Sequence, residues 1–130
     1  MSDVMSGTID ISQLNSPPAK HELATARYFA DRGKNIVFIK PSNIPDHHRP
    51  DFLMDGIEWE IKSPIGKGKR TIEKNYSKAA SQWKNIIFDL RRINIPEKEC
   101  IAQLKKEFED KHTKRLLIIK RSGELLKMVH

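Results

Sequence analysis

The sequence predicts a mixed α/β domain built on one central sheet. Short apolar runs at residues 36–39, 85–90 and 115–120 are bounded by turn residues and read as buried strands. Between them lie longer segments whose apolar positions recur at helical spacing. With 130 residues, the chain is long enough for one core and too short for two. The expected organisation is a loose arm over residues 1–15 and a single domain over residues 16–130.

The elements follow in order. Residues 1–15 are small and polar without a clear period. Asn15 and Ser16 are positioned to cap a helix opened by Pro17 and Pro18, because proline is tolerated in a helix's first turn. That helix runs through Glu22, Leu23, Ala26 and Ala30, with Gly33 placed for a left-handed C-terminal cap. A strand at 36–39 leads to a loop over 41–49. Two alternating runs, 50–54 and 57–62, then flank Asp55-Gly56, a preferred pair for a two-residue hairpin turn. This turn sets Met54 opposite Ile57, Leu53 opposite Glu58, Phe52 opposite Trp59 and Asp51 opposite Glu60. Phe52, Met54, Ile57, Trp59 and Ile61 share the core face; Asp51, Leu53, Glu58, Glu60 and Lys62 share the other. A glycine-rich basic loop, 63–70, precedes a helix capped by Thr71 and reaching about Lys84, with Ile72, Tyr76, Ala79, Ala80 and Trp83 as its apolar stripe. Pro96 starts a further helix to about Lys111, and a last strand is expected over 125–129 after Ser122-Gly123.

Composition narrows the function. Hydrophobic residues make up 38% and charged residues 32%, which excludes a wholly disordered chain. No apolar run approaches a membrane span, and the N-terminus lacks the charged and apolar regions of a secretory signal. The single cysteine, Cys100, makes no internal disulfide and no thiolate metal site, which fits a reducing cytosol. The net charge of +7 is unevenly spread: residues 1–60 carry −3 and residues 61–130 carry +10. Such a basic half suits a polyanionic partner.

The hairpin carries the chemistry. Asp51 and Glu60, directly opposite, have Cβ atoms about 5 Å apart, and like charges so placed cost ~0.5 kcal/mol. A hard divalent cation between them converts that repulsion into binding. Lys62 points to the same face, where its ammonium can orient a water or stabilise charge on a phosphate. Two carboxylates and a lysine on one strand face suit metal-assisted phosphodiester hydrolysis. On spacing alone, a solvated hairpin in which Glu60 and Lys62 offset one another explains the residues equally well, and Glu58 shows that carboxylates here need not be ligands.

Pro50-Asp51, an eight-residue gap and Glu60-Ile61-Lys62 resemble the PD-(D/E)xK nuclease signature. The resemblance implies a single three-layer αβββαβ core with a central mixed sheet flanked by helices. It also implies a metal-binding glutamate on the first helix, for which Glu22 is available. More narrowly, His21-Glu22-Leu23-Ala24, Arg49-Pro50-Asp51-Phe52 and Trp59 to Pro64, extended by Gly66, Thr71-Ile72, Ala79, Gln82 and Asp89 to Arg92, are similar to the tRNA-cleaving C-terminal toxin domains of contact-dependent growth inhibition proteins (CdiA-type). In those proteins the toxin is the tip of a large secreted chain and an immunity protein neutralises it. This chain begins with its own methionine and shows no delivery region, so a freestanding cytosolic relative and an excised toxin tip are both compatible; either acts in the cytoplasm.

The resemblance implies a divalent-metal-dependent endonuclease acting on tRNA. Glu22, Asp51 and Glu60 would be the metal ligands, for Mg²⁺ or Mn²⁺ with Zn²⁺ as a further candidate, and Lys62 would complete the catalytic set. Lys67, Lys69 and Arg70 cluster around Gly66 and Gly68, which allow close backbone approach to phosphates; with Thr71, Lys74 and Gln82 they form the expected substrate-binding set. Each has a plainer reading, as a solvated loop, a helix cap or surface polarity, and Glu22 suits the first turn of a helix whatever its function. His47 and His48 read as loop residues. Asp89, Arg91 and Arg92 fit either an ion pair or a substrate groove. A DNA endonuclease of restriction or repair type and a non-catalytic nucleic-acid-binding module are the alternatives.

Overall fold

The computed structural model describes residues 6–130, as seven strands and three helices in the order β1 (Ile9–Asp10), α1 (Lys20–Ala30), β2 (Ile36–Phe38), β3 (Phe52–Met54), β4 (Ile57–Lys62), α2 (Thr71–Ala80), β5 (Asn85–Asp89), α3 (Glu97–Lys111), β6 (Arg115–Ile119) and β7 (Leu125–Val129). The fold is mixed α/β, as the sequence indicates. The chain divides into two compact units that meet in sequence between Trp59 and Glu60. Strand β4 straddles that point, its residues up to Trp59 pairing in the first unit and those from Glu60 pairing in the second.

In the first unit β1 lies parallel to β2, β2 antiparallel to β3, and β3 antiparallel to the first half of β4. Three of the four expected hairpin pairs form the ladder, with Phe52 facing Trp59, Leu53 facing Glu58 and Met54 facing Ile57, while Asp51 lies before the start of β3 and outside it. Its turn residues Asp55 and Gly56 both take positive φ, 49° and 86°, as this turn type requires. Phe38 meets Phe52 edge-on, with ring centroids 5.6 Å apart, and these rings join Ala26, Phe29 and Ile36 in the buried set. Ile57 departs from expectation: it is exposed, because it abuts the turn.

Two local expectations are corrected here. Residues 9–10, expected within a loose arm, form β1, while residues 1–5 of that arm lie outside the described residues. The cause is a close approach that only glycine permits: the Gly7 N–H donates to Ala30 O at 2.6 Å, and a Cβ on Gly7 would stand 1.7 Å from Lys34 O. Helix α1 starts at Lys20 with Ala19 at its cap, not at Asn15 or Ser16. Ala19, at φ −57° and ψ 150°, continues the extended course set by Pro17 and Pro18. The helix end agrees with the sequence, since Gly33 has φ 89° and its N–H reaches Ala30 O.

In the second unit the latter half of β4 is parallel to β5, β5 is parallel to β6, and β6 turns back antiparallel to β7. The parallel pairs need helical crossovers, supplied by α2 and α3. Strands β5 and β6 are buried almost throughout, which explains their unbroken apolar runs. Their side chains pack with Ile72 and Tyr76 of α2 and with Cys100, Leu104 and Phe108 of α3 in one apolar cluster. Helix α2 is shorter than expected, ending at Ala80, and its cap is Arg70 rather than Thr71. The Thr71 N–H closes a turn onto Gly68 O, which places Thr71 inside the helix. Trp83 then falls beyond the helix and is only partly buried.

Candidate active site

Glu22 occupies the third position of α1, where its Oε1 accepts from the Ala19 backbone N–H at 3.2 Å. The favourable first-turn role is therefore real. It does not exhaust the residue, because the Glu22 carboxyl also hydrogen-bonds to that of Asp51. Burial, and then the charge of Asp51, raise the Glu22 pKa above its ordinary value: burial disfavours an isolated carboxylate, and a second one beside it disfavours charge again. Asp51 stands just before β3, anchored by its backbone N–H to Trp59 O at 3.1 Å. Together the two acids border a cavity of about 510 Å³ between the start of α1, the end of β2 and the 41–49 loop.

Glu60 and Lys62 come together in the second unit, near the end of β4. Their side chains, each 17% exposed, form an ion pair with Lys62 Nζ 3.8 Å from Glu60 Oε2. Alternation along the strand puts both on one face, with the Ile61 side chain buried on the other. Partial burial keeps this pair less screened than a surface ion pair.

The expected substrate-binding residues are all in the second unit. Arg70 is held by Glu73, with Nε 3.2 Å from Oε2, and that hydrogen bond lowers the Glu73 pKa. Thr71 begins α2, and its carbonyl accepts from Asn75 Nδ2 at 2.8 Å. Lys67, Lys69, Lys74 and Gln82 are exposed, with Gln82 in the turn after α2 because the helix ends at Ala80 and not near Lys84. The glycine-rich loop is tied down at two points: the Asn94 N–H donates to Gly66 O at 3.0 Å, and Arg92 Nε donates to Ser63 O at 2.7 Å.

The strand-end residues now separate. Asp89 is buried and accepts from Arg91 through both carboxylate oxygens, at 2.9 and 2.8 Å, a bidentate structural pair. Arg92 braces the basic loop instead. Lys40, Ser42 and His47 line this cavity; His47 lies in the loop expected for it, and for Lys40 and Ser42 the sequence carries no signal beyond the clustering of prolines and polar residues between strands. His47 is held there by its Nδ1, 2.9 Å from Ser42 Oγ.

A divalent cation is tested by this donor set. Among the described residues no three or more His, Cys, Asp or Glu side chains gather into a metal-holding group. The Glu22–Asp51 pair, however, supplies two hard oxygen donors that repel when both are charged, which is the chemistry Mg²⁺ and Mn²⁺ relieve. Two carboxylates fit these ions better than Zn²⁺, which prefers nitrogen and sulfur ligands.

Fold and residues together define a small mixed α/β protein with paired acids, an acid–lysine strand and a basic glycine-rich loop. Residues 48–125 match the contact-dependent growth inhibition CdiA C-terminal domain; the match spans more than half the chain, and the chain belongs to this family of toxin domains. Asp51, Glu60, Lys62 and the basic loop lie inside the matched stretch, and Glu22 lies outside it. Among solved structures, a CdiA-CT/CdiI toxin and immunity complex from Burkholderia pseudomallei is similar at a TM-score of 0.68 and 17% identity, over 95% of this chain and 100% of that one. That likeness shows a shared fold. No curated protein matches the chain, and no helix among the described residues is long and apolar enough to cross a membrane.

Proposed function

We propose that this toxin domain is a metal-dependent endonuclease of the PD-(D/E)xK type that hydrolyses phosphodiester bonds in tRNA. The observation that carries the reading is the carboxyl pair of Glu22 and Asp51, two acids drawn together from distant parts of the sequence and held against their mutual repulsion. The family resemblance adds Glu60, the residue after Trp59 on β4, as a further ligand. A divalent cation, when bound, supplies Lewis acidity toward the phosphate and lowers the pKa of water.

The chain's own residues then divide the remaining work. Glu60 keeps the Lys62 ammonium on the strand face, where its N–H groups orient the attacking water and offset charge growing on the phosphate. Exposed Lys67 and Lys69 hold flanking phosphates without reading sequence. Water attack does not use the ribose 2′-hydroxyl, so the preference for tRNA rests on the family resemblance. The resemblance and the immunity complex seen for the structural relative also support a cognate immunity protein as partner, with action in the cytoplasm.

The test is a gel assay of total tRNA with Mg²⁺ or Mn²⁺, beside EDTA and beside Asp51→Asn and Lys62→Ala proteins whose circular dichroism matches the parent. Discrete fragments should need the metal, and each substitution should slow cleavage by roughly a hundredfold or more. Nicked plasmid with intact tRNA would move the activity to DNA. Cleavage that survives both substitutions, or no cleavage of any nucleic acid, would overturn the assignment.

A further inference from the structure

The cavity beside Glu22 and Asp51 is larger than a cation needs. Its volume of about 510 Å³ falls within the range of small-molecule sites, and its lining is of two kinds. Leu14, Pro17, Phe38, Ile39 and Pro41 give an apolar wall. Asn15, Asn43, Lys40 and Arg49 also line the cavity, which adds amide-bearing and cationic residues. The wall is braced: the Lys40 N–H donates to Gln13 Oε1 at 3.3 Å, Arg49 Nη1 donates to Lys40 O at 3.3 Å, and Ser42 Oγ holds both His47 and the Ile44 N–H.

Resting on the nuclease reading above, we infer that this cavity receives one unpaired nucleotide of the RNA substrate, its base against the apolar lining residues and its phosphate held by Lys40 and Arg49. An apolar face with a few amides at its edge is what an aromatic base with a hydrogen-bonding perimeter requires. Lys40 and Arg49 complement the phosphates that a free apolar ligand would lack. A base-paired nucleotide cannot enter, because its faces are stacked and its edge is occupied until it leaves the helix. The domain therefore selects single-stranded or extruded positions, and duplex RNA is bound only through its backbone.

Binding tests this independently of cleavage. A labelled short single-stranded RNA and the same sequence closed in a hairpin stem are titrated in EDTA by fluorescence anisotropy, with the parent protein and with Leu14→Trp and Asn43→Trp, each of which enlarges a side chain lining the cavity. The single strand should bind about tenfold more tightly than the stem, and either filling variant should erase that preference while stem binding stays unchanged. Equal affinity for the two RNAs, or a preference that survives both variants, would overturn the inference. A parallel incubation with Mg²⁺ separates the two readings: a single-strand preference without cleavage would remove the nuclease assignment and leave the pocket standing.

Discussion

The Glu22 carboxyl, in the first turn of α1, hydrogen-bonds to the carboxyl of Asp51 at the entry to the hairpin. Such a bond requires one of the two acids to hold a proton. Burial first, then the charge of Asp51 and the bond to it, raise the Glu22 pKa above its ordinary value, so the folded chain binds that proton more tightly than the unfolded chain. The stabilisation is fully present below the ordinary carboxylate pKa, and it is lost as pH rises through the raised folded value. Without metal, the pair is thus a liability at neutral pH.

Glu22→Gln should remove that liability. Glutamine keeps an oxygen for the Ala19 N–H and cannot ionise, so the melting temperature of the variant relative to the parent should climb between acid and neutral pH in EDTA. Thermal melts across that range check it, and a difference independent of pH would show that the two carboxyls do not share a proton.

A cation should reverse the sign. Metal that binds only the folded state stabilises it by about 2.7 kcal/mol at a hundred times its dissociation constant. Mg²⁺ or Mn²⁺ should therefore raise the melting temperature of the parent at neutral pH and leave Asp51→Asn unmoved. Equal shifts in both proteins would place the cation elsewhere.

Gly7 offers a test of the first strand. Since a Cβ at this position would meet Lys34 O at 1.7 Å, Gly7→Ala should cost about 1–3 kcal/mol through forced backbone displacement. The loss should be local, with faster hydrogen exchange at Ile36, whose N–H donates to Thr8 O. Unchanged exchange at Ile36 would mean that the contact does not hold β1 in place.

These residues also show what was legible before the structure. The hairpin register was readable because Asp55-Gly56 fixes a two-residue turn and alternation does the rest, and β5 and β6 announced themselves as unbroken apolar runs. Strand β1 was not readable: two residues carry no pattern, and its position depends on Gly7 fitting against Lys34. The caps at Asn15, Ser16 and Thr71 were misplaced because suitable side chains lay nearby while the backbone turned later, at Ala19 and Arg70. At the candidate site, Glu60 and Lys62 followed from strand alternation. The pairing of Glu22 with Asp51 is a tertiary contact that spacing does not encode, and it came only through the family resemblance.

The basic loop yields the last prediction. Arg70 is engaged by Glu73, whereas Lys67 and Lys69 are exposed beside glycines on a loop that Asn94 and Arg92 hold at Gly66 and Ser63. If these two lysines contact phosphates, each releases about one counterion on binding RNA. The double substitution Lys67→Ala, Lys69→Ala should then weaken tRNA binding and flatten the plot of log affinity against log salt by roughly 1 to 2. It should weaken single strand and stem alike, because backbone contacts carry no structural preference of their own. An unchanged salt slope would show the loop to be a solvated surface, and the phosphate contacts would then have to come from Lys74 and the remaining cations of this unit.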